Sequence, residues 1–278
     1  MEPGDNSPSL KADCSNCCGI CCVALYFSSS EGFPQDKKTG DPCRHLQPDS
    51  RCAIYSKLQE QELKGCMAFD CFGAGQKVTT VSFAGLDWRK SSELAQAMFD
   101  VFLIMRHLHE MQWYLSDALR QSSARPIYRD LQDMLKETEE VTLLSPSEII
   151  GLDMDALRGR VNKLLLITSE LVRTNTFGAA REMTKKKMRR GALLMGADLR
   201  KHDLRGANLR GSCLIAADFR GADLTAADLI GADFRDTDIR GTNLSRSLFF
   251  TQSQVNAARG DHSTRLPEGL EYPRWWPQ

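Results

Sequence analysis

Twelve large apolar residues stand in one unbroken five-residue register toward the C-terminal end of the chain: Leu194, Leu199, Leu204, Leu209, Leu214, Phe219, Leu224, Leu229, Phe234, Ile239, Leu244 and Phe249. Two positions before each comes a small residue, Ala192, Ala197, Ala207, Ser212, Ala217, Ala222, Ala227, Ala232, Thr237, Thr242 and Ser247, with His202 the exception. A helix repeats about every 3.6 residues and a strand about every two, so neither generates this period. The pattern requires a turn every five residues, with one large and one small side chain directed inward on each side of a square tube.

Asp or Asn fills most of the positions between them, as at Asp198, Asp203, Asn208, Asp218 and Asp223. Gly206, Gly211, Gly221, Gly231 and Gly241 fall two after the large residue, near corners where backbone freedom matters. This A(D/N)LxG register, over residues 192–251, resembles the pentapeptide-repeat family. The resemblance implies a right-handed quadrilateral β-helix with four pentads to a coil. Twelve pentads then make about three coils, a tube ~15 Å long at the ~4.8 Å spacing of neighbouring strands.

Residues twenty apart would stack, so Asp198/Arg200, Asp218/Arg220 and Asp238/Arg240 are expected to form a ladder of paired charges on one face. His202, at an inward position meant for a small residue, is expected to distort the first coil or to point into its cap. Ile230, Leu248 and Phe250 are expected to face outward, and an open solenoid end needs cover. The tail, 252–278, brings Tyr272, Trp275 and Trp276 for that purpose; a homodimer through the same end is the alternative. Some family members imitate duplex DNA and protect type II topoisomerases from inhibitors. Here residues 192–251 hold eight Asp and eight Lys+Arg, so DNA mimicry, which needs excess negative charge, is disfavoured.

The other concentration of chemistry is at the start. Nine of ten cysteines, at positions 14, 17, 18, 21, 22, 43, 52, 66 and 71, lie in the first 71 residues, and only Cys213 lies beyond. The opening MEPGDNSPSLKAD has neither a basic n-region nor an apolar h-region, so no secretory signal is read and a cytoplasmic protein is expected. In a reducing compartment dense thiols bind metal or do redox chemistry more often than they form disulfides. Cys14, Cys17, Cys21 and Cys22 with Cys43, Cys52, Cys66 and Cys71 supply eight thiolates, enough for two four-thiolate centres, with Cys18 left over. His45 could replace one of them.

The stretch CSNCCGICC, with the later CAIY at Cys52–Tyr55, resembles a small bacterial family of zinc- or iron-chelating domains, although its C-x3-CC opening is one residue longer than theirs. Thiolate-only ligation suits zinc and iron–sulfur clusters alike, so the expected cofactor is zinc or iron. Phenylalanines 27, 33, 69, 72 and 83 are scattered, and a metal is expected to supply folding free energy outright. The Gly-rich DCFGAGQ at 70–76 lacks the Lys-Ser/Thr end of a phosphate loop and reads as a turn.

Between these regions, apolar residues spaced three and four apart from Leu94 to Leu119 predict a long amphipathic helix over 92–120. A second helix follows Pro126. Ser145-Pro146-Ser147-Glu148 is a capping box opening another, and Leu157 to Val172 mark a third stripe. His107 and His109, two apart, face different ways and read as packing or surface residues. Lys185, Lys186, Lys187, Arg189 and Arg190 precede the first repeat as an anion-binding candidate, against the plainer reading of a solvated cap.

The expected fold class is therefore mixed. It comprises a metal-stapled cysteine-rich module at 1–86, an α-helical bundle at 87–180, a basic linker at 181–191, a β-helix at 192–251 and a capping tail at 252–278. Lys+Arg and Asp+Glu both number 36, so the net charge is zero and bulk attraction to nucleic acid or an anionic membrane is not expected. No window approaches the ~18 apolar residues of a membrane span. The repeat offers a flat-sided surface without a catalytic triad or paired buried acids. A non-catalytic metal-binding protein acting on a protein partner is expected; the family resemblance implies such a role, which for some members means antibiotic resistance by target protection. An iron–sulfur redox enzyme and a thiol- or metal-responsive regulator are the alternatives.

Overall fold

The protein is described by a computed structural model over residues 10–177 and 189–277. Its helices are α1 (Cys21–Ala24), α2 (Lys64–Ala68), α3 (Ala74–Lys77), α4 (Ser92–Arg120), α5 (Tyr128–Val141), α6 (Pro146–Ile150), α7 (Met154–Phe177) and α8 (Gln252–Ala257). The long helices begin and end where the local chemistry directs. Ser145 caps α6 by accepting from Glu148 N while Glu148 Oε2 accepts from Ser145 N at 2.9 Å, and Pro146 opens the helix where its missing N–H is not needed. No helix among the described residues is long and apolar enough to cross a membrane.

Two compact units divide the chain, and neither is a continuous stretch. The first comprises Met1–Lys57, Asp70–Trp113 and Leu135–Arg158; the second comprises Leu58–Phe69, Tyr114–Met134 and Gly159–Gln278. The cysteine-rich segment thus shares a unit with the first part of α4, and the repeats share one with the last part of α7.

In the first unit Ile20, Val23, Ala24, Phe72 and Val78 are buried, as are Met98, Phe102, Met105 and Leu108 on one stripe of α4. The scattered phenylalanines suggested little apolar content here, and that expectation is corrected: the region has an apolar core. Phe27 stacks on Phe33 with centroids 4.4 Å apart, and Trp88 Nε1 donates to Cys18 O at 3.1 Å. The 70–76 stretch is a turn that becomes a helix: Phe72 and Gly73 both have positive φ, and α3 starts at Ala74, running on into a π-helical turn, Val78–Ser82.

In the second unit the repeats pair in parallel with a spacing of twenty residues, as at Leu193 with Cys213, Asp198 with Asp218, Cys213 with Asp233 and Asp228 with Leu248. Each pairing is a single-residue bridge. Leu199, Leu204, Leu209, Leu214, Phe219, Leu224, Leu229, Phe234, Ile239 and Leu244 are buried in one apolar cluster, and Leu194 at its start is half-buried. From Gly206 to Gly241 the backbone at the residue two after the large side chain is left-handed, with φ of +61° at Gly206 and +69° at Gly221. Ala216, Ala226 and Asp236 hold the same conformation at φ of +55°, +58° and +57°. The turn geometry therefore imposes this backbone even where the residue resists it.

Two departures from the register appear. His202 is exposed rather than inward, and among the described residues the bridge due between Asp203 and Asp223 is missing. An imidazole is too large for a site filled elsewhere by Ala, Ser or Thr, so this corner opens. At the other end Phe250 takes the inward place expected of Phe249: it joins the apolar cluster and meets Phe234 edge-on at 4.9 Å. Phe249 is buried too, but against Tyr114 of α4 at 6.1 Å, with its N–H donated to the buried Asp117 carboxylate at 2.7 Å. Leu248 is also buried, so the apolar face expected to point outward is covered by the chain itself.

The tail extends the winding. Asp238 pairs with Arg259 and Asn243 with Arg265, both in parallel, while α8 precedes this extra segment. Gln254 Nε2 donates to the carbonyls of Leu229 and Ala232 at 2.9 and 2.8 Å, tying α8 to the repeat backbone. Trp276 lies against Gly260, where an added Cβ would stand 2.3 Å from the indole ring.

Candidate functional site

Eight thiols of the first unit, Cys14, Cys17, Cys18, Cys21, Cys22, Cys43, Cys52 and Cys71, form one electrostatically connected group. Cys21 and Cys22 sulfurs are 3.9 Å apart, and Cys18 is hydrogen-bonded to Cys17. The segments are brought together by the backbone: Cys43 N donates to Cys22 O at 2.9 Å, and Leu46 bridges to Cys52 in a tight antiparallel pair. Cys22 lies within electrostatic reach of Cys14, Cys43 and Cys52, and Cys71 within reach of Cys17 and Cys21.

Backbone N–H groups are directed at the sulfurs. Cys17 receives bonds from Ile20 and Gly19, Cys43 from His45, Cys52 from Ile54, and Cys71 from Gly75 and Gly73. Each bond favours the thiolate. Burial opposes this, pushing Cys43 and Cys52 up and Cys71 up to about 11, whereas the hydrogen bond from Cys18 is the main cause that draws Cys17 down. Among the described residues no three His, Cys, Asp or Glu side chains are arranged as they stand to hold a metal ion.

Of the sequence-predicted ligands, Cys14, Cys17, Cys21, Cys22, Cys43, Cys52 and Cys71 are brought into this group. Cys66 lies on α2 in the second unit. Cys18, left over in the sequence reading, belongs to the group, with its N–H donated to Thr79 Oγ1 and its sulfur 3.2 Å from that oxygen. Thr79 also reaches Gly75 O at 2.9 Å, inside the π-helical turn. Gly75 is closely approached: an added Cβ would lie 2.8 Å from Cys17 Sγ, which would have to shift. His45 contributes its backbone N–H to Cys43. Thr79 and Gly75 were missed because nothing periodic marks them.

Lys37 was missed as well. Its residue is only 6% exposed, and its ammonium donates to the carbonyls of Val23 at 3.0 Å, Leu25 and Lys38 at 3.4 Å, with Nζ 4.5 Å above the Phe27 ring. Burial lowers its pKa, and nearby Cys22 and Cys43 oppose that shift.

The repeat surface of the second unit carries the expected ladder. Arg200 grips Asp198 at 2.7 Å and reaches Asp218 at 3.3 Å; Arg220 grips Asp218 at 2.7 Å and reaches Asp238 at 3.7 Å; Arg240 grips Asp238 at 2.6 Å. Every carboxylate of this face is thus neutralised by a guanidinium. Of the basic run, Lys185, Lys186 and Lys187 lie outside the described residues, and Arg189 and Arg190 are exposed.

Residues 190–249 of the chain are pentapeptide repeats: the family model for pentapeptide repeats matches residues 190–211 and 212–249 in eight copies. Along almost its whole length it is similar to the uncharacterized protein YybG of Bacillus subtilis (strain 168), with 52% identity over 267 residues, covering 96% of this chain and 95% of the relative. The likeness therefore includes the thiol-rich segment and the helices as well as the repeats.

Proposed function

We propose that the chain is a non-catalytic interaction protein whose N-terminal thiols hold a thiolate-seeking metal and whose repeats present a rigid surface to a protein partner. The observation that carries the metal reading is the set of backbone N–H groups directed at Cys17, Cys43, Cys52 and Cys71. Such bonds stabilise sulfur in the deprotonated form that a metal requires. The donor set fits zinc or iron: Cys14, Cys17, Cys18, Cys21, Cys22, Cys43, Cys52 and Cys71 are all soft thiols. A metal bound there would cross-link segments otherwise joined by short bridges and turns, and so add to folding free energy.

We read the twenty-residue parallel pairings as the right-handed quadrilateral β-helix of the family. The alternation of Asp and Arg on its face supports a protein partner and not imitation of DNA. The packing of the tail over the last turn favours self-capping over a dimer through that end. Target protection against an antibiotic is the corollary that the family suggests, and a change in drug susceptibility on deleting the gene is its test.

The decisive experiment is metal and acid-labile sulfide analysis of anaerobically purified protein, with its visible spectrum. Zinc without sulfide or colour supports a structural centre. Iron with sulfide and broad absorption near ~400 nm makes redox chemistry or sensing the function. A preparation holding neither metal refutes the metal-binding reading.

A further inference from the structure

Lys37 is the most buried lysine among the described residues, at 6% exposure. Its ammonium is buried among backbone carbonyls and an aromatic face, and among the described residues no carboxylate forms an ion pair with it. Asp41, the carboxylate within electrostatic reach, is exposed. A buried charge without a counter-charge is costly, and such groups persist where an opposite charge or a metal site balances them.

The backbone shows what does balance it. Phe27 and Lys37 pair with N···O distances of 3.1 Å in both directions, which carries the lysine back over α1. Its ammonium bonds Val23 O, the residue next to Cys22, while Cys22 O receives Cys43 N at 2.9 Å. The groups in electrostatic reach include Cys22, Cys43 and Cys21. The lysine is thus held against the backbone next to Cys22, which is itself tied to Cys43.

The geometry points to Lys37 as the fixed counter-cation of an anionic metal–thiolate centre that includes Cys22 and Cys43. This rests on the metal-binding reading above. A divalent ion bound by four thiolates carries a net charge of about −2, and one buried ammonium beside it offsets half of that. Lys37 is a positioning residue: it touches carbonyls and an aromatic ring, and acts on the metal through the charge it holds near the ligands.

The test compares full-length wild type with Lys37→Met, Lys37→Gln and Lys37→Arg, each reduced, stripped with chelator and titrated with zinc alone against a chromogenic chelator. Circular dichroism is recorded with and without zinc. The neutral variants are expected to fold and to bind zinc at least ~10-fold more weakly, the range seen when outer groups around a metal are removed, with Lys37→Arg recovering most of the loss. Gln retains hydrogen-bond donors for the carbonyls, so its loss isolates charge from geometry. Unchanged zinc affinity in folded Lys37→Gln overturns the inference while leaving the metal-binding reading intact. Neutral variants that are unfolded in both states also overturn it, since the ammonium would then be a clamp on the backbone. A wild-type chain that takes up no zinc overturns the inference, and one that as purified holds neither zinc nor iron overturns the metal-binding reading as well.

Discussion

Asp228 is the place where one substitution should separate what the repeat does for itself from what helix α7 adds. Asp228 occupies the same repeat position as Asp218, yet its side chain is 0% exposed and that of Arg210 only 7%. Arg210 Nη1 lies 3.3 Å from Asp228 Oδ2, its other amino group donates to Asn162 Oδ1 on α7, and Asp228 Oδ1 accepts from Ile230 N at 3.1 Å. At this distance and an effective dielectric of about 20 the attraction is about 5 kcal/mol before desolvation. Asp228→Ala strands a buried guanidinium and an amide, so a loss of about 3–5 kcal/mol is expected. Asp228→Asn keeps an acceptor for Ile230 and should lose slightly less.

The double variant Arg210→Met/Asp228→Asn removes both charges, and its loss should be only about 1–2 kcal/mol, well short of the sum of the single losses. Urea unfolding followed by circular dichroism measures wild type, Asp228→Ala, Asp228→Asn, Arg210→Met and the double variant, and hydrogen exchange around Asn162 reports whether α7 loosens. The effect should persist at ~1 M salt because the pair is shielded from solvent ions. Additive losses, or a loss below about 1 kcal/mol for Asp228→Ala, would refute the claim that this buried pair ties α7 to the repeats.

Leu224→Ala, at a fully buried inward position, should cost about 2–5 kcal/mol in urea unfolding, since neighbouring turns cannot collapse into the gap. Gly75→Ala should perturb the thiol group by pushing on Cys17, seen as faster reaction of the thiols with a disulfide reagent in the metal-free protein. His109 is buried with Nδ1 2.7 Å from Phe72 O, and burial lowers its pKa to about 4. The unfolded chain takes up its proton near pH 6.5 and the folded one does not, so stability should fall as pH drops from 6.5 to about 4. The total is about 3 kcal/mol, and the slope in this window should flatten in His109→Gln if the assignment is right.

The sequence by itself determined whatever is repeated or local. Each inward Leu of the repeat except Leu204 has its small companion two residues away, so the register needs no knowledge of the rest of the chain. The span of α4 follows likewise from spacings within a helix, and the start of α6 from four adjacent residues. The clustering of thiols was also legible, because cysteines this dense are chemically distinctive.

Tertiary structure decided whatever depends on a partner far along the chain. Asp228 looks like any other repeat Asp until α7 covers it. Phe249 leaves the register because Asp117, 132 residues earlier, holds its N–H. Cys18 joins the thiol group and Cys66 lies in the other unit because the chain between Leu58 and Phe69 departs from the first unit before Asp70 returns to it. Lys37 has no sequence signature: its role comes from a hairpin that returns it to α1. Periodicity records the neighbours a residue keeps in every turn, whereas these four sites are set by contacts made only once.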